Sequence, residues 1–204
     1  MLLVVSGASG VGKSTARIKV AAELGDEFEA VELYHLDQPP ASPTMPWRQR
    51  TVETAVQRAI ALDKEGRHLL LCGDPVPAGE VLAAPSADQI DVSVCLLDAD
   101  ETAQTERIRE REEPPEVMQL HLMFAEWLRK HATDPSHRPH VLTHDSWDKM
   151  QWDRWMDRPD DGSWAMRVID TSRRESDDVA TQVLRWCRDS VAGQAPVFRA
   201  GWFR

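Results

Sequence analysis

The 204-residue chain is 28% charged and 42% hydrophobic with a formal net charge of −10, the make-up of one soluble α/β domain with room for a modest insertion. So acidic a chain disfavours a broad phosphate-tracking surface, which makes nucleic acid an unlikely partner, although a local basic groove is compatible with it. No stretch reaches the ~20 apolar residues of a membrane span, and Cys72, Cys95 and Cys187 stand far apart without metal spacing, so a reduced, cytoplasmic protein is expected.

Leu2 to Val5 is a continuous apolar run and reads as a strand buried on both faces. It feeds Gly7, Ala8, Ser9, Gly10, Val11, Gly12, Lys13, Ser14 and Thr15, a full match to the phosphate-binding loop G-x-x-x-x-G-K-[ST]. Between a strand and a helix such a loop aims backbone N–H groups and a helix dipole at one point. Lys13 reaches the β- and γ-phosphates of a nucleoside triphosphate, and the Ser14 hydroxyl ligates Mg²⁺.

The pattern predicts a helix from Lys13 to Leu24, then a strand from Val31 to Leu36 that ends at Asp37 before a proline-rich break. A long helix is expected from Pro46 to Glu65, with Val52, Ala55, Val56, Ala59 and Leu62 at helical spacing. Leu69 to Cys72 and Val92 to Leu97 read as further buried strands, the second leading into a charged helix that runs to Pro114-Pro115. From Pro115 to Trp164 lie five of the eight tryptophans and five of the seven histidines. Val117–His131 and Ser146–Met156 look helical there, joined by a Pro/His-rich connector. Met166 to Asp170 is a fifth strand, and Thr171-Ser172 opens the last helix, with Ser172 or Ser176 as its cap. The tail from Gly193 has no periodicity. Alternating strands and helices imply a parallel sheet with its ligand site beyond the strands' carboxyl ends, which places the loop, Asp37, Asp74 and Thr171 on one rim.

Several residues on that rim suit phosphoryl transfer. Asp37 is read as the group that takes the acceptor's proton, or as a turn-initiating Asp. Asp74 is read as an Mg²⁺ ligand through water, as an acceptor contact, or as a turn former before Pro75, with Glu80 a weaker candidate beside it. Arg107 and Arg111 are four apart, so a helix presents them together to clamp phosphate oxygens; as a solvated charge run they would do little. Trp47 and Arg48 could line an acceptor pocket or pack at a helix end. The histidines at 121, 131, 137, 140 and 144 lack zinc spacing, and the Trp-rich segment reads as a helical cap over the rim.

With these residues in view, the sequence resembles a small P-loop kinase of the nucleoside-monophosphate-kinase-like group, which includes shikimate and gluconate kinases, adenylate kinase, chloramphenicol phosphotransferase and polynucleotide kinase. The likeness rests on Gly7 to Thr15, on Leu36-Asp37, on Leu96-Leu97-Asp98 with Arg107 and Arg111, and on Val168 to Ser172. The resemblance implies a three-layer α/β fold of the P-loop NTPase type, a five-stranded parallel sheet flanked by helices over residues 1–204; the insertion at 114–164, read from its residues as a small helical cap or LID, matches no pattern of the group. It further implies ATP and Mg²⁺ as cofactors, Asp37 as the base, Arg107 and Arg111 as transition-state cations, and Thr171 and Ser172 beside adenine. The Asp-Gly-Phe-Pro-Arg segment of adenylate kinases is replaced by Cys72-Gly-Asp74-Pro-Val-Pro77, which argues against a nucleoside monophosphate as acceptor. The expected activity is ATP-dependent phosphorylation of a small-molecule hydroxyl. A nucleoside or nucleotide kinase and a regulatory ATPase with a protein partner are the alternatives, and monomer and homodimer are both compatible with the sequence.

Overall fold

The computed structural model describes residues 1–112, 114–156 and 162–203. Five parallel strands form one sheet in the order β2-β3-β1-β4-β5. They are β1 (Leu2–Ser6), β2 (Phe28–Val31), β3 (His68–Cys72), β4 (Val92–Asp98) and β5 (Arg167–Asp170). Each central strand is apolar on both faces because each face has its own core. Leu2, Val4, Leu69, Leu71, Val94 and Leu96 point to one core, whereas Leu3, Val5, Leu70, Cys72, Cys95 and Leu97 point to the other. This is the period-2 alternation of a sheet covered on both sides, in a P-loop NTPase-like α/β fold.

Helices α1 (Lys13–Glu23) and α8 (Ser176–Val191) cover the second core, with Val20, Val183 and Cys187 turned inward. The first core lies under α3 (Met45–Asp63), whose Val52, Ala55, Val56, Ala59 and Leu62 are fully buried. Two further short helices, α2 (Leu33–Leu36) and α4 (Ala78–Leu82), flank it. After α5 (Glu101–Arg109), α6 (Pro115–His131) and α7 (His140–Thr143) complete this layer. No helix among the described residues is long and apolar enough to cross a membrane.

Four expected boundaries are corrected. The second strand covers Phe28–Val31, in register with His68 to Leu71, and the chain leaves the sheet before Leu33. Leu33 is then buried in a helical turn, its N–H given to the Asp74 carboxylate, so Asp37 follows a turn instead of ending a strand. Residues 146–156 are not helical apart from a 3₁₀ turn at Trp152–Arg154. Their backbone is satisfied by tertiary partners: Trp147 N–H donates to Gln49 Oε1 (2.6 Å) and Gln151 N–H to Ala83 O (2.7 Å). Arg154 turns inward to donate to the carbonyls of Leu82, Ala84 and Pro85, closing the end of α4 with a cation. Third, α5 ends at Arg109, short of Arg111 and the Pro114-Pro115 stop. Finally, α8 begins at Ser176 with Glu175 at its cap position. Ser172 bonds instead to Asp170 and to the N–H of Asp100.

The aperiodic tail docks. Phe198 and Val92 exchange both backbone hydrogen bonds (2.8 and 2.9 Å), which seats the Phe198 ring against Trp164 and Trp202.

Candidate active site

Where β1 ends, Gly7 turns the chain at φ +146°; a Cβ there would stand 2.5 Å from the Leu97 carbonyl oxygen and 2.7 Å from Val11. Only glycine lets the loop lie this close to β4. The loop is then braced from the α5 side. Gln104 donates to Ser9 O (2.8 Å), Arg111 to Ser9 Oγ (3.2 Å) and Arg107 to Gly10 O (3.4 Å). Arg107 also donates to Thr171 Oγ1 (3.1 Å) and Thr171 O (2.6 Å), so one guanidinium ties the loop to the chain after β5. Its four contacts, the fourth to Ser172 O (3.5 Å), fit a planar fork of donors better than a point charge.

Lys13 opens α1 but points back across the loop, its ammonium donating to Ala8 O at 2.6 Å. That leaves further N–H donors for an anion in the concavity. Burial pulls the ammonium down to about 8, against the pull of the nearby Asp74 carboxylate. Asp74 is itself 6% exposed. Burial raises its pKa, opposed by the Leu33 N–H and by the charges of Arg48 and Lys13. Ser14 and Thr15 are exposed at the loop's mouth.

Two cavities flank the loop. The larger, about 460 Å³, lies between the loop, α5 and the start of α8, with Val11, Arg107, Thr171, Arg174 and Val179 among its walls. The smaller, about 270 Å³, is walled by Lys13, Ser14, Asp74 and Tyr34 and, from α6, by His121 and Phe124. Both are lined by Gly10, Gly12, Thr15 and Arg111, so they meet along the loop. An extended phosphorylated ligand can span them.

The structure thus gathers Ser9 to Thr15, Asp74, Arg107, Arg111 and Thr171 around one groove. Arg111 reaches the groove although it lies beyond α5, through a turn in which its N–H bonds Ile108 O. Gly7 and Ala8 shape the loop from behind. Three candidates and Ser172 stand apart from both cavities. Asp37 Oδ2 accepts the Trp47 indole N–H at 3.0 Å. Arg48 is locked on the fully buried Glu80 by three contacts of 2.8–3.0 Å and donates to Pro75 O at 2.6 Å. Tyr34, Phe124, Arg174 and Val179 are wall residues the sequence did not single out, and His121, weighed there only as a zinc ligand, is another. For His121 and Phe124 the available signal was their i, i+3 spacing.

No protein-family model and no curated protein matches the chain. Among solved structures, a sugar kinase from Janibacter sp. HTCC2649, determined without ligand, is 20% identical, with a TM-score of 0.54 over 94% of this chain and 96% of its own. The APS kinase of Mycobacterium tuberculosis, determined with AMPPNP and APS, is 17% identical, with a TM-score of 0.51 over 92% of this chain and 96% of its own. The chain shares the fold of these P-loop small-molecule kinases.

Proposed function

We propose that the protein is an Mg²⁺·ATP-dependent phosphotransferase that moves the γ-phosphoryl group to a hydroxyl of a small molecule. The observation that carries this reading is the pair of cavities joined along the phosphate-binding loop, one on each side of Gly10 and Gly12. The larger takes the nucleoside, beside Thr171 and Arg107. The smaller takes the γ-phosphate end and the acceptor. A simple hydrolase needs only water there, whereas this cavity has aromatic walls as well as a carboxylate. The kinase fold shared with a sugar kinase and an APS kinase, the latter holding an ATP analogue, supports the same class.

Loop amides and Lys13 bind the phosphates, and Arg107 and Arg111 hold the loop and offset charge on the phosphoryl oxygens. Ser14 and Asp74 are hard oxygen donors on one cavity wall, a set that fits Mg²⁺, which needs only one or two protein oxygens beside phosphates and waters. Bound there, the metal neutralises charge on the β- and γ-phosphates. Asp74 is also the carboxylate on this wall that would orient the acceptor hydroxyl and take its proton. We assign the acceptor wall to α6, within 114–164, as part of a single unit spanning 1–204; residues 157–161 of that segment lie outside the described residues.

The test is ADP release from Mg²⁺·ATP with and without pooled small alcohols. One pool should stimulate turnover, and Lys13→Ala should lower kcat/KM by roughly 10²–10³-fold. Asp74→Asn should lower kcat at every Mg²⁺ concentration; recovery at high Mg²⁺ would leave Asp74 with the metal role alone. Turnover that no pool stimulates would replace the kinase reading with that of an ATPase acting on a protein partner.

A further inference from the structure

Trp47 lies in the first turn of α3, and both its ends are fixed. Its backbone N–H donates to Thr44 Oγ1 at 3.3 Å and its indole N–H to Asp37 Oδ2 at 3.0 Å. The ring is 8% exposed and lies nearly parallel to that of Tyr34, with centroids 5.8 Å apart and planes at 14°. Tyr34 is 45% exposed and walls the smaller cavity together with Asp74 and Phe124. One ring of the stack is therefore buried and anchored, and the other is left open beside the carboxylate and the loop lysine. An exposed aromatic ring held at a defined angle is a platform for another flat group. Phe124 and His121, one helical turn apart on α6, stand on the same cavity.

Resting on the phosphotransferase reading above, we propose that the acceptor is a ring-bearing hydroxyl compound whose flat face lies on Tyr34, and that Asp37 is a positioning residue that holds Trp47 beneath that platform. Asp37 has no place on the cavity wall, and one of its oxygens is committed to the indole. Its distance from the chemistry in the chain of contacts is two side chains, Trp47 and then Tyr34. Such a residue acts on how well the acceptor binds and leaves the proton transfer to another group.

The experiment follows transfer of labelled γ-phosphoryl from Mg²⁺·ATP to two probe sets. One set is acyclic (glycerol, erythritol, sorbitol); the other carries rings (benzylic alcohols, pyranoses, ribonucleosides). Transfer is expected to the ring-bearing set alone. With the best of these, Tyr34→Leu should raise acceptor KM about three- to tenfold, the worth of one stacking contact, and leave KM for ATP unchanged. Tyr34→Phe keeps the platform and should match wild type. Asp37→Ala and Trp47→Phe each remove the indole–carboxylate bond and should raise acceptor KM with kcat held within about twofold. Asp37→Asn retains an oxygen that accepts the indole N–H and should restore the wild-type KM, a rescue that a general defect in folding would not show.

Equal transfer to the acyclic set overturns the ring requirement and leaves the kinase reading standing. A loss of kcat of about 10²-fold or more in Asp37→Asn makes Asp37 the base and overturns its positioning role. Transfer to neither set removes the phosphotransferase reading, and this inference with it.

Discussion

Lys13 combines near-complete burial with a neighbouring carboxylate, and burial wins, drawing its ammonium down to about 8. In the unfolded chain a lysine keeps its proton to ~10.4. Between these values the unfolded state binds more protons, so this group's contribution to stability rises with pH through that window. Its contribution to ligand binding runs the other way, because a triphosphate is attracted only by the protonated form. Affinity for Mg²⁺·ATP should therefore weaken as pH rises through about 8, approaching tenfold per unit at the steepest. Titration calorimetry at pH 7, 8 and 9 measures it, and Lys13→Arg, which keeps its charge, should flatten the profile. The residues around Lys13 were legible because Gly7 to Thr15 are contiguous and their geometry is local. Asp37 and Asp74 were not separable, since both follow apolar runs and precede prolines.

At the scale of elements, the start of α3 is clamped to α4 by Arg48 and Glu80. Burial alone would lower the Arg48 pKa, but the Glu80 charge and hydrogen bonds outweigh it and hold the guanidinium charged. Glu80 is fully buried, so Arg48→Ala leaves a carboxylate without its partner and should cost about 3–5 kcal/mol in urea unfolding. Replacing both residues by Met removes the orphan charge and should recover most of the loss. The same clamp fixes Pro75, next to Asp74, through its carbonyl. The pairing spans 32 residues, and no local pattern announces it. Trp47 and Arg48, read from the sequence as acceptor-pocket lining or as packing at a helix end, are a ring held on Asp37 and a cation held on Glu80.

Across the whole molecule, an aromatic seam joins α6, the connector and the tail. Trp127 stacks on His131 (4.7 Å), whose edges meet Trp155 and Trp164, and Trp164 continues to Phe198 and Trp202. At its centre Gly79 N–H donates to His131 Nε2 (3.2 Å), so that nitrogen carries no proton; a Cβ on Gly79 would stand 2.7 Å from it. Burial is the main cause of the depressed His131 pKa, about 4, which Asp134 opposes and His137 reinforces. The folded value lies below the unfolded one, so this stabilisation is complete above ~6.5 and is lost as pH falls toward 4. Between pH 7 and 4.5 the drop in unfolding free energy should be smaller in His131→Gln than in wild type by roughly 2–3 kcal/mol. An equal drop in both proteins would place the acid sensitivity elsewhere.

The amino-acid order alone carried the central strand, the phosphate-binding loop, the two-faced apolar strands and hence the parallel sheet. Each of these depends on side-chain period or backbone freedom over fewer than about ten residues, where local sterics dominate. Three-dimensional packing settled the remainder. Leu33 took the Asp74 carboxylate and turned a predicted strand into a helical turn. Gln49 and Ala83 took backbone donors that a helix at 146–156 would have used internally. Which aspartate faces the cavity, which arginine is a strut, and what the tryptophans pack against are set by contacts between residues dozens of positions apart. Their energies come from burying and pairing groups that meet only after the sheet has formed, so no window of sequence contains them.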